Sequence, residues 1–215
     1  MNKLILFALL CFVSCAKSTE SEVQVYSNDF EDKNLSGIHG GVLTLFNGTN
    51  VLGTYNSGGF ELELRGLPMH NLIDISFDLY IHDSWDGNQQ GDNSLIGPDI
   101  WQLLVDNKSY INTTFSNGDC LPGNFCPPQS YPDNYPNNNN NPKTAASNTL
   151  LPGACSLSTS TTGSTLYKIH KKISHTDTDI LIKCMDKLVQ KNADNPKCNE
   201  SWSVDNMQIK VLTFK

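Results

Sequence analysis

Apolar and polar residues alternate along most of this chain, and no long stretch repeats at every third or fourth position, so the sequence predicts strands rather than helices. In "LIDISFDLYI", Ile73, Ile75, Phe77, Leu79 and Ile81 fall on one face while Asp74, Ser76, Asp78 and Tyr80 fall on the other, which is the pattern of a half-buried strand. Shorter runs of the same kind are "EVQVYS", "GFELELRG", "IWQLLVD", "LYKIHKKI", "DILIKC" and "MQIKVLTF", separated by Gly, Asn and Pro clusters that end strands. Many short strands with turn-rich connections predict an all-β fold, an antiparallel two-sheet jelly-roll sandwich.

Two segments stand outside that rhythm. Residues 1–18, "MNKLILFALLCFVSCAKS", carry a lysine, an apolar run from Leu4 to Val13 and small residues Ser14 and Ala16, the build of a secretory signal. Cys15, in "FVSC", stands where bacterial lipoproteins carry their lipid-bearing cysteine, so a lipid anchor at Cys15 and cleavage after Ala16 or Ser18 both remain open. The run is too short to span a bilayer, and no later segment is apolar enough to do so. Residues 117–165 form a Cys-, Pro-, Asn- and Ser-rich stretch with little apolar surface, expected to be a long, partly disordered insertion in one sandwich domain spanning 19–215.

Charge and cysteine usage narrow the partners. The chain carries a net charge of −7, with Arg65 as its one arginine, and without residues 1–18 the balance becomes −9. With no basic patch, it is a poor match for phosphate backbones, and nucleic acid is excluded as a partner. Beyond Cys11 and Cys15, five cysteines remain without zinc-ligand spacing; in an exported chain they predict two disulfides and one free thiol. Proximity alone suggests Cys120 with Cys126 and Cys184 with Cys198. Asn34, Asn47, Asn107, Asn112 and Asn199 each begin an Asn-x-Ser/Thr triplet, a glycan acceptor in a eukaryotic secretory route.

Two acidic stretches flank the predicted sandwich, "NDFE" near its start and "ESWSVDN" near its end. Asp29 shares parity with Val23 and Val25, and Asp205 with Met207, Ile209 and Val211, so without a bulge both carboxylates turn toward the apolar face. An inward carboxylate needs a cation or donors, and with a single arginine available calcium fits better than an organic cation. If the first and last strands pair, Asp29, Glu31, Asp205 and Asn206 meet at one end. These phrases resemble the opening and closing signatures of extracellular jelly-roll sandwiches of the MAM and concanavalin A-like (laminin G-like) kind. In that family the matching residues are associated with a structural calcium, which the resemblance assigns to Asp29, Glu31, Asp205 and Asn206. "FDLYIHDSWDGN" and "GPDIWQLLVD" resemble a recurrent segment of secreted or surface proteins. The long insertion departs from the compact family pattern.

The "HDSWDGNQQGDN" stretch holds more oxygens than a turn requires. It resembles a calcium loop without EF-hand spacing, which makes Asp83, Asp86 and Asp92 further candidate metal ligands; the alternative is a polar turn whose Trp85 packs inward. Sugar binding uses the same chemistry: amides and carboxylates for hydroxyls, aromatic rings for the C–H face. Trp85, Asn88 and Tyr131 are the candidates, Trp101 and Trp202 lying within strand patterns that predict core positions. The resulting expectation is a secreted or cell-surface, calcium-stabilised module that binds a glycan or a cell-surface glycoprotein, for carbohydrate recognition or adhesion, without catalysis. One alternative is an extracellular polysaccharide hydrolase or lyase using Glu61 and Glu63; another is a structural, protein-binding matrix protein.

Overall fold

The computed structural model describes residues 19–91, 96–123, 126–191 and 193–214. The expected leader, with Cys11 and Cys15, and Asp92 lie outside the described residues. Two antiparallel sheets pack face to face. One contains β1 (Thr19–Asn28), β3 (Leu43–Phe46), β4 (Thr49–Tyr55), β6 (Leu72–Asp83), β9 (Asn148–Leu151), β10 (Ser164–Ser174) and β12 (Glu200–Phe214). The other contains β2 (Ile38–His39), β5 (Gly59–Leu64), β7 (Ile100–Val105), β8 (Lys108–Thr114) and β11 (Ile180–Asp186). A single turn of helix, α1 (Pro196–Asn199), leads into β12. This is the jelly-roll sandwich that the alternation predicts, and among the described residues no helix is long and apolar enough to cross a membrane.

The first sheet runs β3-β4-β12-β6-β10-β9, with β1 also paired to β12; the second runs β2-β5-β11-β7-β8. Period-two patterning places the core. Ile73, Ile75, Phe77, Leu79 and Ile81 of β6 are all buried between the sheets, as are Trp202 and Val204 of β12 and Trp101, Leu103 and Val105 of β7. Trp101 and Trp202 meet edge to face across the interior at 5.9 Å. Burial of such side chains, at about 25 cal/mol per Å² of apolar surface, is the main stabilising term.

β1 and β12 do pair antiparallel, with Asn28 opposite Met207, but the inward aim of Asp29 and Asp205 does not survive. A register shift in β12 lies between Asp205 and Gln208, where Asn206 takes φ 51°, a left-handed conformation that asparagine tolerates. One extra residue reverses parity, so Asp205 belongs with Ser201 and Ser203 on the outer face, opposite Asp78 of β6. A second shift, between Gln24 and Tyr26, does the same in β1, and Asp29 is exposed.

The insertion is not loose. Its described residues fold against the sandwich, and β9 pairs with β10. Gln129 and Ser130 are fully buried; the Gln129 carboxamide accepts from Ser116 N, Lys143 N and Tyr167 Oη and donates to Tyr131 O and Thr144 O. Polar side chains thus satisfy backbone groups that a strand partner would otherwise meet. Of the expected disulfides, Cys120–Cys126 is present, whereas Cys198 bonds Cys155 rather than Cys184. Cys184 lies on the inner row of β11 with Ile180 and Ile182, remains a free thiol, and burial raises its pKa strongly.

Candidate functional site

The acid- and amide-rich stretch after β6 is spent on structure. The Asp83 carboxylate is buried and accepts from Cys155 N and Leu157 N, anchoring the far end of the insertion. Trp85 is fully buried, donates its indole N–H to Ser201 O at 2.9 Å and offers no face to a sugar. Gly87 takes φ 66°, and a Cβ there would lie 2.2 Å from Pro128 O, so only glycine lets this loop press against the insertion. The Asn88 side chain donates to Asn138 O and Asn139 Oδ1 and accepts from Thr114 Oγ1 and Ser130 Oγ, so it clamps the insertion and its polar groups are already engaged. Asp86 is half-buried, and burial raises its pKa.

Asp29, Glu31, Asp78 and Asp205 gather on the outer face of the first sheet. Burial, then the fields of Asp78, Glu31 and Asp29, push the Asp205 carboxyl up to about 6. The calcium set implied by the resemblance fits poorly as arranged. Glu31 Oε1 is engaged by Thr49 Oγ1 and Asn50 N, and Oε2 by Asn50 Nδ2. Asn206 gives its amide N–H to Asp78, which also meets Lys168. Among the described residues, no three His, Cys, Asp or Glu side chains stand around a common point as a metal cage.

An open, chemically mixed site lies at the side of the sandwich, between the edge strand β8 of one sheet and β10 of the other. There a groove of about 380 Å³ is lined by Tyr110 and Ile111 of β8, Tyr131–Asn134 of the insertion, and Ile169, His170 and Lys171 of β10. Below Leu166, β10 has no strand partner on this side among the described residues, because β9 pairs only with its first residues, and this leaves the flank open. The segment 130–135 is fixed along β8: Tyr131 N donates to Thr114 O, Thr113 Oγ1 to Asp133 O and Tyr135 N to Asn112 O. Tyr131 rests against Phe115 and Tyr167, at 4.8 and 5.2 Å between ring centroids, and Lys108 lies 5.1 Å over the Tyr110 ring.

The groove therefore combines two half-buried phenol rings with a carboxylate, an amide, an imidazole and an ammonium group, all reachable by solvent. Burial raises the Tyr131 pKa, so its hydroxyl stays protonated and can both donate and accept. At His170 and Ile169 the groove adjoins a polar trough of about 340 Å³ lined by Ser76, Asp78, Lys168, Asn206 and Gln208. Of the ligand residues read from sequence, Tyr131 alone lies here. Tyr110, Asp133, Asn134, His170 and Lys171 are additions. The signals for His170, Asp133 and Asn134 were the outward-facing polar row of "LYKIHKKI" and the turn residues that follow Tyr131 in "SYPDN"; Lys171 breaks the apolar row of Tyr167, Ile169 and Ile173, and Tyr110 carried no signal. Glu61 and Glu63 lie elsewhere, on the outside of the second sheet, paired with Lys183 and Arg65.

No family model matches the sequence, and no curated protein matches it. Among solved structures, the chain is similar to one described as the native structure of a family 35 carbohydrate binding module from Clostridium thermocellum. The two share 10% sequence identity at a TM-score of 0.38, over 88% of this chain and 97% of that chain. That likeness is too distant to carry a ligand across, and the sandwich is read from the strand pairing itself.

Proposed function

We propose that this chain is a carbohydrate-binding domain that works outside the cell and holds a glycan in the groove between β8 and β10. The observation that supports this reading is the groove's composition: Tyr110 and Tyr131 beside Asp133, Asn134, His170 and Lys171 in about 380 Å³. Sugar rings offer an apolar C–H face and a rim of hydroxyls, which aromatic rings and convergent donors and acceptors meet together. The volume falls within the range of small-ligand sites. The adjoining trough extends the same hydrogen-bonding chemistry toward Asp78 and Asn206, which suits an oligosaccharide rather than a monosaccharide. Two disulfides support an oxidising compartment.

Affinity electrophoresis against a panel of soluble polysaccharides, with calorimetry on the best oligosaccharide, tests the reading. At least one glycan is expected to retard the protein. Tyr110→Ala is expected to weaken it about tenfold, the equivalent of one lost ring contact at about 1.4 kcal/mol, and Asp133→Ala by a similar factor. Asp133 is exposed, so its variant should keep the melting temperature, whereas Tyr110 also packs against the core and circular dichroism must confirm that its variant is folded. Full affinity in both variants, or no retardation by any glycan, would overturn the assignment.

A further inference from the structure

At one end of the sandwich, the inward-facing rows of three strands end in carboxyl groups. Asp99 has the parity of Trp101, Leu103 and Val105; Glu200 that of Trp202 and Val204; Asp186 that of Ile182 and Cys184. Asp99 and Glu200 are both 0% exposed. Asp186 is fully satisfied, accepting from Ser57 N, Gly58 N, Leu188 N and Trp202 Nε1. The other two are satisfied on one side only. Asp99 Oδ2 accepts from Asp86 N and Gly87 N, and Glu200 Oε1 from Gln190 Nε2, whereas Asp99 Oδ1 and Glu200 Oε2 are buried without a partner among the described residues.

The two carboxyl groups share one neighbourhood: Trp101 and Trp202, two positions further along each strand, meet at 5.9 Å, Gln190, which holds Glu200, bridges to Ile96 just before Asp99, and Asp99 is held by the backbone N–H of Asp86. The fields of Asp99 and Asp86 both raise the Glu200 pKa, after burial. Among the described residues no lysine, arginine or histidine pairs with any of the three. Facing carboxylates in a low-dielectric interior repel unless a proton or a cation lies between them. A single proton neutralises one charge of a group that also includes Asp86, with Asp186 beside it; a divalent ion neutralises two. Each buried carboxylate is already held on one oxygen by backbone or amide N–H groups, which orients the carboxyl and leaves its other oxygen available as a ligand.

We propose that Asp99 Oδ1 and Glu200 Oε2, with the Asp86 carboxylate on the solvent side, bind a hard divalent cation of the calcium class. The donors are all oxygen, which selects calcium or magnesium over softer metals. The three are not already closed around one point, so Asp86, which is half-buried at the rim, turns in as the ion enters. This site is separate from the Asp29–Asp205 cluster: Glu200 and Asp205 are five positions apart on β12, roughly 17 Å along a strand.

The test uses the full-length protein stripped with a chelator. Terbium, excited through the neighbouring Trp85 and Trp202 indoles, reports occupancy, and calcium should displace it and raise the melting temperature. Asp86→Asn, at the half-exposed rim, and Glu200→Gln should each weaken terbium and calcium binding at least tenfold, with circular dichroism confirming the fold, while Asp205→Asn keeps the effect. No sensitised emission, and the same melting temperature with calcium, magnesium or chelator, would show that the pair holds a proton and overturn the site. Loss in Asp205→Asn alone would overturn it by placing the ion on the outer face.

Discussion

His82 is fully buried on the outer side of β6, its two ring nitrogens meeting Ser164 Oγ at 2.9 Å and Ser203 Oγ at 2.8 Å, with the Phe46 ring 4.4 Å away. Desolvation pulls its pKa down from 6.5 to about 3. The unfolded chain therefore takes the proton first as pH falls. The stability tied to neutral His82 is complete above pH 6.5 and declines down to about pH 3, by about 1.4 kcal/mol per pH unit. Asp205 acts in the opposite sense, because a folded-state pKa of about 6 makes the native protein bind that proton first. His82→Gln should flatten the acid limb of the urea midpoint between pH 6 and 4, even if it lowers the midpoint throughout. An unchanged slope would place the acid sensitivity in carboxylates instead. Nothing in the sequence marks His82 as buried, since its parity is that of the polar row; it is the β3–β4 hairpin, folding Phe46 and Val51 over that row, that covers it.

Strand by strand, period-two alternation located β6, β7, β10, β11 and β12, because each has one mainly apolar face turned to the core and a shift of one residue would expose that row. It failed at the two bulges, where one inserted residue turns Asp205 and Asp29 away from the core, and no residue type at those positions announces the insertion. The same alternation does reveal the inward carboxyls of Asp99 and Glu200, two positions before buried tryptophans. Cysteine pairing by proximity failed for a related reason: Cys184 sits on an inner strand row, while Cys155 comes from a distant loop to meet α1. The two bridges should differ in weight. Cys155–Cys198 closes 43 residues and Cys120–Cys126 only 6, so loop entropy assigns roughly 4 kcal/mol to the first and roughly 2.2 kcal/mol to the second. Denaturation of Cys155→Ser/Cys198→Ser against Cys120→Ser/Cys126→Ser should give the larger loss for the first pair, and the reverse order would refute the entropic account.

At the level of the whole molecule, the insertion is the part that composition misrepresents. Its low apolar content predicts a loose spacer, yet the cost of ordering it is offset by polar burial that composition does not count. Asn117 Nδ2 shares its two hydrogens among Ile81 O, Asp83 O and Gly163 O, all within 3.1 Å, tying the start of the insertion to its end; Gln129 ties its middle to Tyr167. The same segment supplies Tyr131, Asp133 and Asn134 to the groove, so its rigidity positions the proposed ligand contacts. Limited proteolysis of the native, disulfide-intact protein should therefore leave residues 127–163 uncut under conditions that cleave a flexible linker. Gln129→Ala should make the segment cleavable, because it removes an acceptor for Ser116 N and Lys143 N and a donor to Tyr131 O and Thr144 O. Weaker glycan retention in Gln129→Ala, with every groove side chain still present, would show that the buried amide acts through the placement of Tyr131. Rapid cleavage between Gln129 and Leu151 in the unmodified protein would instead mean that the segment moves freely, and a groove walled by it would then lack the fixed geometry on which recognition depends.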